Sequence, residues 1–220
     1  SPLLLSGKDH FVERFVAKLS EAGIVVEANL DTATKPAHAF CICHRFHTMD
    51  QILLKMLKDS NNLYAEAMFY QIAASSGCKQ ASARQARAII KRLVQKLGFN
   101  PDQYSFADGS GLSLYNYVTA ELEVAFLRYA VKTGNILLHL KPSMPIAATD
   151  GPLADRMRGT FTNGNVYAKT GTLTGVSALS GYCTAANGHR LAFAIMNQGL
   201  KHTRNGRAFQ DKVCAELCRP

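Results

Sequence analysis

Asn187-Gly188 separates two runs in which apolar residues alternate with small or polar ones, Ser177 to Ala185 and Arg190 to Met196. Asparagine followed by glycine tolerates the positive φ that tight hairpins need, so the pair predicts two antiparallel strands and a short turn. Upstream, Val166-Tyr167-Ala168 starts another β-prone run, and Leu173 to Tyr182 reads as the turn into the following strand. The last third of the chain is therefore expected to form an antiparallel meander, which must cover at least one face with something else.

Helical patterns supply that cover. Asp9 to Ala22 carries Phe11, Val12, Phe15, Val16 and Leu19 as a helical stripe closed by Gly23. Strands are expected at Ile24-Val25-Val26 and at Ala39 to His44, with 31–36 as loop between them. Thr48 and Gln51 form a capping box for a helix carrying Ile52, Leu53, Met56 and Leu57. That pattern breaks at Asp59-Ser60-Asn61 and resumes from Leu63 to Ala74. Ala81 to Leu97 reads as the longest helix, with Arg84, Arg87 and Lys91 on a solvated face. Thr119 caps a helix running to Lys132, residues 140–165 are punctuated by proline and glycine around one short helix near Leu153 to Met157, and a closing helix spans Ala208 to Cys218. Helices first, then a meander, then a closing helix gives an α+β fold with an antiparallel sheet covered by helices.

Composition narrows the function classes. At 220 residues, 47% hydrophobic and 19% charged, the chain can bury a core without crosslinks. A net charge of +9 favours anionic partners in general. No five-residue cationic run, zinc-finger spacing or aromatic ribonucleoprotein signature points to nucleic acid, so no nucleic-acid partner is expected. No run of apolar residues is long enough for a transmembrane segment. Cys41, Cys43, His44 and His47 are metal-capable, but on a strand the two cysteines and His44 point to opposite faces, so buried thiols or a disulfide are expected instead of a metal site. Cys214 and Cys218 share a helical face. No G-x-S-x-G elbow is present, which leaves a Ser-His-Asp hydrolase without support.

Lys-Thr-Gly occurs twice. Lys132-Thr133-Gly134 follows a helical run and reads as its C-terminal turn with a glycine cap. Lys169-Thr170-Gly171 falls in a strand, where a lysine and a hydroxyl can hold an anion and a glycine lets a ligand approach the backbone. Two further segments join it: Ser60-Asn61-Asn62 at the break between two apolar helices, and Asp108-Gly109-Ser110-Gly111-Leu112-Ser113 in a tight loop. By itself the serine–asparagine triplet could equally be a helix N-cap.

Together, Lys-Asp-Ser-Asn-Asn-Leu-Tyr-Ala-Glu-Ala (58–67), Ala-Asp-Gly-Ser-Gly-Leu-Ser (107–113) and Ala-Lys-Thr-Gly-Thr-Leu (168–173) resemble the active-serine penicillin-binding proteins, in particular the low-molecular-mass D-alanyl-D-alanine carboxypeptidases/endopeptidases. The resemblance covers nearly the whole chain and implies a penicillin-binding/β-lactamase-like transpeptidase fold, incomplete at its N-terminal side. It implies a peptidoglycan stem peptide ending in D-Ala-D-Ala as substrate, β-lactams as inhibitors, no cofactor and no metal, and a bacterial periplasmic or cell-envelope location. Residue by residue, Ser60 is similar to the serine that relays a proton to the leaving amine. Asn62 matches the asparagine that bonds the substrate amide and positions a catalytic lysine. Lys169 and Thr170 match the pair that holds the terminal carboxylate, Gly171 the residue that lets substrate lie along the strand, and Thr172 the residue whose N–H donates to the oxyanion.

One part of the family pattern is absent. The nucleophile should come from an S-x-x-K motif upstream of Ser60, and no serine there is followed three residues later by lysine. The one match, Ser76-Gly77-Cys78-Lys79, follows Asn62 and sits at a helix end, where the dipole opposes developing negative charge. The expectation is that residues 1–220 are the C-terminal part of one catalytic domain, with 1–30 the junction to an inserted region and the nucleophile in a missing N-terminal part. A chain of that kind is inactive alone. The alternative is a non-catalytic, wall-binding relative that kept the pocket without the serine.

Overall fold

Thr48 and Gln51 cap the first helix of the larger of two compact units, residues 47–220, each side chain bonding the other's backbone N–H. The structure, a computed structural model, describes residues 7–27, 36–41, 43–78 and 80–219. The smaller unit, residues 1–46, contributes helix α1 (Gly7–Glu21), whose Phe11 and Phe15 stack with centroids 6.1 Å apart and remain exposed. Ile24 and Val25 follow as exposed irregular chain and the described part of 39–44 is likewise irregular, so neither run shows a strand among the described residues. A β-prone run becomes a strand only where another backbone takes its hydrogen bonds. Ile42 and residues 31–35 lie outside the described residues. Cys41 and Cys43 are exposed free thiols, which corrects the expectation of burial or pairing.

In the larger unit the helices are α2 (Met49–Lys58), α3 (Asn62–Ala74), α4 (Ala83–Lys96), α5 (Ala120–Lys132), α6 (Asn135–Ser143) and α7 (Thr203–Cys218). Thr119 caps α5 as its spacing predicts, its hydroxyl accepting from Leu122 N at 3.2 Å. Helix α6 was not legible, because Pro142 falls inside it and its stripe is short. It follows α5 after a break at Thr133 (φ −98°, ψ 57°), and Gly134 before it has helical φ −31°, so that glycine is not the left-handed cap its position suggests. Helix α4 is shorter than both α1 and α7. Its cationic face is partly engaged: Lys91 pairs with Asp102 at 3.0 Å and Arg87 donates to Ala107 O at 3.4 Å.

The sheet has three antiparallel strands in the order β1 (Tyr167–Leu173), β2 (Val176–Thr184), β3 (Arg190–Asn197). Register follows the alternation: Lys169 lies opposite Ser180, and Ser180 opposite Ala194. On one face Ala168, Leu179, Cys183 and Phe193 pack against Cys214 and Cys218 of α7. Buried Gln210 of α7 donates to Ser177 Oγ (3.0 Å) and Asn197 Oδ1 (3.1 Å), so its amide is satisfied where an unpaired one would cost about 1–3 kcal/mol. The other face packs Tyr182 and Ala192 against Leu127 of α5 and Leu137 of α6, with Leu57 of α2 beside them. The sheet is thus helix-covered on both faces, an α+β architecture as expected.

Candidate active site

Ser60 owes its place to how α2 ends. Asp59 is the C-cap, Ser60 has left-handed φ +52°, and Asn61 N returns to Met56 O at 3.1 Å. This is the Schellman arrangement, in which glycine is usual at the left-handed position. A serine there costs about 1–2 kcal/mol. The conformation is held from outside: Lys58 Nζ donates to Asp150 Oδ2 at 2.5 Å, and Asp150 Oδ1 accepts from Ile146 N at 2.9 Å. Gly151 packs so closely that a Cβ on it would stand 2.8 Å from Lys58 O. The cap function of the triplet belongs to Asn61, whose side chain accepts from Tyr64 N at 3.1 Å. That frees its neighbours: Asn62 is the first residue of α3, exposed, and without a side-chain hydrogen bond among the described residues.

Lys169 reaches this break from β1. Its Nζ donates to Ser60 Oγ at 2.7 Å and to Thr170 O at 2.7 Å. Burial holds its ammonium below the usual lysine value. Ser180, its cross-strand partner on the same face, is in hydrogen-bond contact with Glu123 of α5. Burial pushes that carboxyl above its usual value, and the Ser180 bond offsets part of the shift. The structure therefore joins Ser60 and Lys169, 109 residues apart, in direct contact.

The rest of the tripeptide follows strand geometry. Lys169 and Gly171 point to the α5 face, Thr170 and Thr172 to the opposite one. Because β1 is an edge strand, a ligand lying along it could meet both Lys169 Nζ and the Thr170 hydroxyl, one from each side. Backbone direction can be derived as well. Ala168 N bonds outward to Pro145 O at 2.9 Å, and alternate residues of an antiparallel strand turn their N–H the same way. The N–H groups of Thr170 and Thr172 consequently face away from β2. A Cβ added to Gly171 would meet only Ala178 Cβ, at 3.4 Å, so packing alone does not demand glycine there. Gly181 differs, since a Cβ on it would lie 2.0 Å from Tyr167 O.

The Asp108 loop is tied to the same helix as Asn62. Glu66 of α3 accepts from Gly109 N (2.8 Å) and Ser110 N (3.1 Å), and a Cβ on Gly109 would fall 2.5 Å from Phe69 Cβ. Asp108 accepts from Gly111 N (2.7 Å), Ser113 N (2.8 Å) and Asn116 Nδ2 (2.9 Å). Burial acts to raise its carboxyl pKa, but these bonds outweigh it and hold the group below the usual carboxylate range. Glu66, Asn116 and the Lys58–Asp150 pair escaped sequence reasoning. Signals existed: Lys58 and Glu66 lie inside the 58–67 segment, and Asp150-Gly151-Pro152 is turn chemistry.

Other candidates fall away. Ser76 lies in the turn after α3, its hydroxyl bonded to Ala73 O at 2.7 Å, and Lys79 lies outside the described residues. Burial, aided by Cys218, pushes the Cys183 thiol up to about 12, so it stays protonated. Among the described residues no cluster of His, Cys, Asp or Glu has metal-binding geometry, and no helix is long and apolar enough to cross a membrane.

Known proteins resemble this chain in sequence and fold. The D-alanyl-D-alanine carboxypeptidase DacB of Haemophilus influenzae is 32% identical over 185 residues, 83% of this chain and 38% of that protein. A D-alanyl-D-alanine carboxypeptidase of an Actinomadura species is 34% identical over 195 residues, 84% of this chain and 36% of that one. The crystal structure of penicillin-binding protein 4 (dacB) from Haemophilus influenzae, complexed with a β-lactam, superposes with a TM-score of 0.80 at 27% identity, covering 98% of this chain and 52% of that one. The chain thus spans less than two-fifths of the length of these two carboxypeptidases. The D-Ala-D-Ala carboxypeptidase 3 (S13) family model matches residues 6–217, and the chain belongs to that family.

Proposed function

We propose that these residues form the C-terminal part of the catalytic domain of a serine-type D-Ala-D-Ala carboxypeptidase/endopeptidase acting on peptidoglycan stem peptides. The observation that carries the reading is the 2.7 Å contact between Lys169 Nζ and Ser60 Oγ beside the outward-facing edge of β1. It fits acyl transfer because that chemistry needs an anion anchor, a proton relay and preorganised donors in one place. The β-lactam complex of the Haemophilus influenzae protein supports it by analogy.

In this reading the nucleophilic serine and its lysine come from an S-x-x-K segment in the N-terminal part of a longer protein, with residues 1–30 at the junction. The serine attacks the D-Ala-D-Ala carbonyl, and the oxyanion is held by Thr172 N–H with a second donor. Ser60 Oγ passes a proton to the leaving amine, so D-alanine departs and an ester remains, which water hydrolyses. Lys169 and Thr170 hold the terminal carboxylate, Gly171 leaves the strand open to the peptide, and Asn62 bonds the substrate amide and steadies the upstream lysine. The placement is the bacterial periplasm or cell envelope, and β-lactams acylate the same serine.

Intact-mass measurement after incubation with a penicillin tests this. The longer protein should gain the mass of one whole penicillin, since ring opening loses no atoms, and the 220-residue chain should gain nothing. An adduct on the 220-residue chain, at Ser60 or Ser76, would overturn the placement of the nucleophile. No adduct on a longer protein that does contain S-x-x-K would favour a non-catalytic wall-binding module.

A further inference from the structure

The second Lys-Thr-Gly has no part in the reaction above, yet its lysine lines a cleft of about 330 Å³ on the α5 face of the sheet, toward the β2–β3 turn. Four cations surround the cleft: Arg128 and Lys132 from α5, Lys141 from α6 and Arg190 from β3. Its walls include the apolar side chains of Val131 and Leu137, and no carboxylate lines it. Lys141 stacks over the Tyr167 ring at 4.4 Å. Arg128, Lys132 and Arg190 have no hydrogen-bond or ion-pair partner among the described residues.

This pairing of features is selective. Cations at a surface normally lie among counter-charges, and an apolar hollow normally needs none. A pair of free guanidinium forks can clasp a phosphate bidentately. A dianion recruits more of the four charges than a carboxylate does. The hollow has room for on the order of ten non-hydrogen atoms, taking about 30 Å³ for each water-sized group. We propose that the cleft between α5, α6 and the β2–β3 end of the sheet binds a single-chain anionic amphiphile, an alkyl phosphate whose chain enters the cleft and whose head sits among Arg128, Lys132, Lys141 and Arg190. The inference is independent of the catalytic reading, since none of these residues touches Ser60 or Lys169.

Calorimetric titration with octyl phosphate below its micelle concentration tests it, with inorganic phosphate and octanol as the two halves of the probe. Octyl phosphate should bind the 220-residue chain at least about tenfold more tightly than either half. Arg128→Gln combined with Arg190→Gln should weaken it about tenfold or more, while Arg84→Gln combined with Arg92→Gln, exposed cations on α4, should change it less than about twofold. Val131→Glu, on a partly exposed wall, should abolish binding without loss of thermal stability. Equal affinity in the Arg128/Arg190 variant, or octanol binding as well as octyl phosphate, would overturn the proposal. So would binding to anionic vesicles alone. Binding that vanishes in the longer protein would show the cleft filled by the rest of the chain, and would overturn it too.

Discussion

In Lys132-Thr133-Gly134 the lysine ends α5, the threonine is its C-cap, and the glycine hands the chain on to α6 in a helical conformation. In Lys169-Thr170-Gly171 the same side chains stand on an edge strand, with the lysine half-buried against Ser60 and the glycine open on the α5 face. Helical geometry fans Lys132 outward among other cations, whereas strand geometry aims Lys169 at one hydroxyl. The difference teaches that this tripeptide carries no function until the backbone sets where its donors point.

Each experiment on one copy has its control in the other. On the role proposed for it, Lys169→Ala should slow acylation of the longer protein by penicillin about a hundredfold or more, because it removes the half-buried charge assigned to the carboxylate. Lys132→Ala should change it less than about twofold, and equal losses would erase the distinction between the copies. The pH dependence comes next. On the proposed role, a carboxylate ligand needs charged Lys169, so its affinity should hold near neutral pH, above the ligand's own pKa, and fall as pH rises through the lysine's folded pKa. Burial lowers that pKa from 10.5, so the fall should begin at lower pH than for a free lysine, and bound carboxylate should move the titration back upward. NMR titration of the amine with and without ligand reads both directions; an upward shift without ligand would contradict the burial.

Stability effects are smaller. Asp150→Asn should destabilise by about 1–2 kcal/mol, since it leaves Lys58, 15% exposed, without its charge partner beside the strained Ser60 turn. Ser60→Gly should do the reverse and gain about 1 kcal/mol by relieving the left-handed serine, while losing the hydroxyl that Lys169 contacts. Denaturant melts of the two variants should move in opposite directions; a shared sign would mean that the turn is not strained. The two glycines separate least. Gly134→Ala should stabilise by about 0.4–1 kcal/mol, as its φ is helical and a Cβ meets nothing within 4 Å. Gly171→Ala should leave the melt nearly unchanged and weaken ligand binding instead.

The sequence by itself determined the elements whose causes are local. Thr48 with Gln51, Thr119 before Leu122, and Asn187-Gly188 between alternating runs each act through backbone within a few residues, so the helix starts and the meander were readable. Signals that need a distant partner misled or stayed silent. Ile24-Val25-Val26 looks like a strand but has no backbone to pair with, and α6 forms around Pro142 because it packs on α2 and α5, with His139 meeting Asp50 at 2.6 Å. The candidate site divides in the same way. Its three segments were visible from their residues, but tertiary structure alone decided that Ser60 is left-handed, that Glu66 ties down the Asp108 loop, and that Lys169 meets Ser60 across 109 positions of chain. The physical reason is range: caps and turns are settled by bonds a few residues long, whereas a half-buried lysine and a strained serine are stable only when remote segments close around them.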